Sequence, residues 1–121
     1  MIQLVSTKSV YILSYIDNDL IFSILDENDE IAQYLDGFAT CWVIYYRVYI
    51  YNSKRNMLII TQLTSDLELQ KDSKIITLPV INHHQALYRS ILDIHADLAT
   101  KGYTRVIVLA NNTIIAEYAI L

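Results

Sequence analysis

Three histidines, one cysteine, a run of acids and a row of tyrosines around an arginine are the residues here whose types could do chemistry. Histidine titrates near neutrality and binds metals. On a helix His84 and His95 point the same way, but eleven residues at ~1.5 Å rise separate them by about 16 Å, too far to share an ion. His83 and His84 are adjacent and diverge by about 100°. A helical metal pair needs i,i+3 or i,i+4 spacing, so no metal site is expected. His95 falls among apolar residues and reads as a core or boundary histidine. His83 and His84 follow a proline-containing loop and are the candidates for a general base, which makes the one enzymatic alternative a small hydrolase or nuclease pairing His83 or His84 with a carboxylate.

The acids of Asp26-Glu27-Asn28-Asp29-Glu30 lack the glycine and distal glutamate of a calcium loop and read as helix capping, with Asp26 as N-cap. A single Cys41 cannot form an internal disulfide, a cysteine zinc site or an iron–sulfur cluster, and it reads as a buried thiol in a reducing compartment. No cofactor is expected. Tyr45, Arg47, Tyr49 and Tyr51 alternate along one strand face, and Tyr and Arg are the residues enriched at interface hot spots. They are the candidate binding surface, joined by Arg105 and Tyr118, which the pairing of the last two strands sets on one face.

The elements that would position these residues follow from pattern. Ser9 to Ile16 and Leu20 to Leu25 are short runs rich in β-branched and aromatic residues around Asp17-Asn18-Asp19, which predicts a hairpin. A short acidic helix is expected over 27–36. Cys41 to Tyr51 and Asn56 to Thr64 read as two strands joined at 52–55, with Asn52 opposite Arg55, so that Trp42, Ile44, Tyr46, Val48 and Ile50 share a core face with Met57, Ile59, Thr61 and Leu63. Lys74 to Leu78 reads as a strand ended by Pro79. Asn82 with Gln85 makes a capping box, and Lys101-Gly102 a C-terminus, for a long helix over 83–101. Tyr103 to Ala110 and Thr113 to Leu121 flank Asn111-Asn112, a type I′ turn pair.

The predicted fold is one α+β domain over residues 1–121: a mainly antiparallel sheet of six to seven strands, the long helix on one face, and the short acidic helix. Composition sets the remaining bounds. The chain has 121 residues, 54% of them hydrophobic, and 19 isoleucines, which excludes disorder beyond short loops. Gly37 and Gly102 are its two glycines, so the glycine-rich phosphate loops are excluded. The net charge of −4 divides into −6 over residues 1–36 and +2 over the rest, which argues against nucleic acid as partner. The longest apolar run stops at Arg47, well short of the ~20 residues of a membrane span, and a cytoplasmic protein is expected. Abundant Ile, Asn and Tyr suit an AT-rich genome and a viral or mobile-element origin.

Both faces of the terminal hairpin are largely apolar, and two helices offer little cover for seven strands. A homodimer or higher oligomer follows as an expectation. The function expected is that of a small non-enzymatic binding, regulatory or inhibitory protein that acts by occupying a partner protein or a small ligand.

Overall fold

A computed structural model describes residues 9–15 and 19–120. The elements run β1 (Val10–Tyr15), α1 (Asp19–Leu25), α2 (Asp29–Ala32), β2 (Ala39–Ile44), β3 (Arg47–Asn52), β4 (Met57–Gln62), β5 (Ile76–Pro79), α3 (His83–Thr100), β6 (Arg105–Ala110) and β7 (Thr113–Ala119). The class is α+β, with seven strands and one long helix, as expected. The strands form two sheets, four-stranded β2-β3-β4-β5 and three-stranded β1-β6-β7. The chain divides into two compact units, Asp17–Tyr88 and Met1–Ile16 with Arg89–Leu121, each holding one sheet.

In the first of these units every neighbouring strand pair is antiparallel. The expected strand at Leu20 to Leu25 is instead helix α1, and its supposed turn at Asp17-Asn18 lies outside the described residues. Six apolar residues cannot separate strand from buried helix by period alone, and Ile21 and Leu25, buried at i,i+4, show which period the tertiary structure uses. The acidic helix shrinks to the single turn α2. Its N-cap is Asn28 and not Asp26: the Asn28 Oδ1 accepts from the N–H groups of Glu30 (2.9 Å) and Ile31 (3.3 Å).

The long strand expected over 41–51 is two strands, because the chain reverses at Tyr45 and Tyr46, both at positive φ (50° and 63°). That reversal turns β2 over. Trp42 lies opposite Tyr49 and Val43 opposite Val48, so Cys41 and Val43, rather than Trp42 and Ile44, share the face of Val48 and Ile50. Between β3 and β4 the turn is longer than expected, Asn52 pairing with Met57, yet the faces keep their membership because the shift is by two. One face packs Cys41, Val48, Ile50 and Ile59 with Ile21, Leu25, Ile31 and Leu63, all buried. Full burial of each such Ile or Leu contributes roughly 1.5–3 kcal/mol.

In the three-stranded unit β6 and β7 are antiparallel while β1 lies parallel to β6, Val10 beside Arg105. The Asn111-Asn112 turn is present, with both residues at positive φ. A one-residue β-bulge shifts the register between Val108 and Leu109: Leu109 faces Ile114, but Val108 faces Ala116. This helix, α3, starts in one unit and ends in the other. Its Asn82 accepts from Gln85 N–H (2.9 Å) and Gln85 Oε1 from Ile81 N–H. Its C-terminus is closed by Gly102 at φ 87°, with Gly102 N–H on the Ala99 carbonyl and Tyr103 N–H on that of Leu98.

Candidate functional site

The tyrosine row does not form an open platform. Tyr45 sits in the β2–β3 turn, Arg47 is half-buried at the start of β3, and Tyr49 and Tyr51 are buried. Tyr49 stacks on Trp42, ring centroids 6.3 Å apart at 12°. This face of the four-stranded sheet is interior: Tyr49 and Tyr51 are buried on one side of β3, as Val48 and Ile50 are on the other. The remaining two residues of the expected surface part company at the bulge. Tyr118 pairs with Val106, whose face is buried, and is itself half-buried, while Arg105 stands exposed on the opposite face. An uninterrupted hairpin would have set both on one side. Burial also raises the Tyr118 hydroxyl above its ordinary pKa.

His83, at the first helical position of α3, sets its ring edge-on to Trp42 at 6.0 Å and tilted to Tyr51 at 5.6 Å. The exposed His84 ring is 6.2 Å away. Burial first, and the His84 charge second, lower the His83 pKa from its ordinary value. The contacts place His83 in an aromatic cage at a helix start. Cys41 is buried, and burial pushes its thiol up to about 12, which leaves it unreactive as a thiolate at neutral pH. Asp26 lines a cavity of about 260 Å³ with Phe22, Ser23 and Leu35. Among the described residues no three His, Cys, Asp or Glu side chains gather where a metal ion could be held, and no helix is long and apolar enough to cross a membrane.

The surface that stands open lies on the three-stranded sheet. One face of that sheet buries Leu13, Val106 and Val108. The registers place Val10, Arg105 and Ala119 in one row across the other face, Ile12, Ile107 and Glu117 in the next, and Ser14, Leu109 and Ile114 beyond the bulge. Ile12 is 58% exposed and Ile114 59%, with Ile107 and Leu109 half-buried between them. Arg105 donates to Glu117 in an ion pair on the same face.

The chain matches no protein-family model, no curated protein and no solved structure. Function must therefore be argued from surfaces. The apolar alternation of the last two strands already assigns Ile107, Leu109 and Ile114 to a face in need of cover. Ile12 carries no such signal in the sequence: β1 reads as half of a local hairpin, and its partner β6 lies some 95 positions further along the chain, as Ser9 and Thr104 show by their hydrogen bond.

Proposed function

We propose that this chain acts without catalysis, as a self-associating binding protein whose copies meet through the open face of the three-stranded sheet. The observation that carries the reading is the apolar diagonal of Ile12, Ile107, Leu109 and Ile114 across two neighbouring rows of one sheet face, its two end members more than half exposed. A contiguous apolar area with a polar rim is a mark of an interface. A second copy suits it better than a charged partner would. Among the described residues the cation and anion of the face, Arg105 and Glu117, already neutralise each other, so a two-fold axis brings the surface onto itself without like-charge repulsion. Face-to-face packing of two such sheets is a standard way of burying apolar strands. Such an assembly works by occupying a partner and not by converting it.

Light scattering at micromolar concentration tests this. The wild type is expected at twice the chain mass or more, and the double variant Ile12→Lys, Ile114→Lys at the mass of one chain with an unchanged circular dichroism spectrum. A monomeric wild type, or a double variant that still associates, overturns the reading.

A further inference from the structure

The turn between β3 and β4 carries two neighbouring cations on a unit that is otherwise acidic. Residues 17–88 hold ten acids against five bases, a net of −5, yet Lys54 and Arg55 stand side by side and exposed. Each lies against a ring. Lys54 Nζ is 5.5 Å from the centroid of Phe38, and Arg55 Cζ is 5.6 Å from that of Tyr34. Phe38 is itself 56% exposed.

The backbone beneath them is held firmly. Asn52, fully buried, donates from Nδ2 to the Tyr34 carbonyl (3.1 Å) and to Asp36 Oδ1 (3.4 Å), while its Oδ1 accepts from the N–H groups of Lys54 (3.0 Å) and Arg55 (3.1 Å). The Ser53 N–H and hydroxyl both donate to the Phe38 carbonyl. Asp36, the acid closest in this network, is half-buried, and its Oδ1 also accepts from Phe38 N–H (3.0 Å). Two cations are thus carried on a fixed turn with their charged ends over rings, an arrangement that lowers the ordering cost of binding.

We propose that this tip is an interaction surface for a short acidic segment of a partner protein, with carboxylates on Lys54 and Arg55 and an apolar side chain against Phe38. A guanidinium lying on a ring keeps its N–H edge for a carboxylate fork, and the exposed Phe38 supplies an apolar contact that a simple anion would not use. A short peptide engages the tip alone. An extended polyanion such as single-stranded nucleic acid has to run onto a unit of net −5, which repels it.

Fluorescence anisotropy distinguishes these partners. The probes are a labelled peptide of about eight residues, rich in Glu with one Leu, and a single-stranded oligonucleotide of equal charge. The peptide is expected to bind the full chain, to weaken as salt rises, and to lose about tenfold in affinity in Lys54→Gln, Arg55→Gln. Phe38→Ser should weaken the Leu-containing peptide more than a Leu-free one, while Lys71→Gln, Lys74→Gln, two bases elsewhere in the unit, should bind as wild type. Circular dichroism confirms that each variant is folded. No peptide binding at low salt, equal loss in both lysine-containing double variants, or tighter binding of the oligonucleotide each overturns the proposal.

Discussion

Two forces act against a proton on His83: partial burial against Trp42 and Tyr51, and the neighbouring His84. The start of a helix, with its positive dipole end, works in the same direction. Because the folded pKa lies below the unfolded one, the unfolded chain binds the proton more readily. Stability from this residue is therefore complete above the unfolded value of about 6.5 and is lost as pH falls through the folded value. Thermal unfolding followed from about pH 7.5 to about pH 5 should show the wild type losing a few degrees more than His83→Phe, which keeps the aromatic packing and cannot titrate. Parallel curves for the two proteins would mean that His83 contributes nothing to the pH response. The same packing makes His83 a structural residue of its cage, whereas His84, one position on, reaches solvent.

At the scale of elements, what the sequence disclosed and what it concealed have separate physical causes. Both ends of α3 are written in local chemistry, Asn82 with Gln85 at one and Gly102 at the other, and they lie where that chemistry puts them. The Asn111-Asn112 turn is legible for the same reason. The Tyr45-Tyr46 turn is not, since two tyrosines give no hint of left-handed backbone and continue the strand pattern of the alternating tyrosines beyond them. That one concealed turn moves Trp42 and Ile44 onto the face of Arg47, Tyr49 and Tyr51, which themselves keep the face expected for them on β3. Of the candidate surface residues, Arg105 is on the open face, whereas Tyr49 and Tyr51 are interior. Left-handed φ costs a non-glycine residue of order 1 kcal/mol, and asparagine tolerates it better than tyrosine. Tyr46, 47% exposed, is the member of the pair to change. Tyr46→Asn should stabilise the protein by roughly 0.5–1 kcal/mol in urea unfolding; a loss of stability would show that the Tyr46 ring contributes more by contact than its backbone costs.

For the whole molecule, the excess of apolar residues becomes specific once the buried ones are set aside. The four-stranded sheet uses both faces of β3 internally, and the three-stranded sheet uses only one. If the open face is filled by a second copy, folding and association are linked, and the midpoint of thermal unfolding depends on protein concentration. A tenfold rise in concentration should raise the wild-type midpoint by a few degrees and leave that of Ile12→Lys, Ile114→Lys where it was. Equal behaviour of the two, measured by calorimetry, would separate the open face from assembly.

The bulge between Val108 and Leu109 carries a last consequence, which concerns the gene more than the surface. On β7, Ile115 is the residue by which the two registers differ, and beyond it Tyr118 turns towards the Val106 side while Glu117 meets Arg105. Side-chain direction in a strand alternates, and the bulge takes one residue out of that alternation, so β7 carries Ile115 without turning Glu117 and Tyr118 over. Losing the Ile115 codon would therefore remove the bulge and leave Ala116, Glu117 and Tyr118 opposite Val108, Ile107 and Val106. The hairpin thus has one position at which a residue can be dropped without exchanging inside for outside.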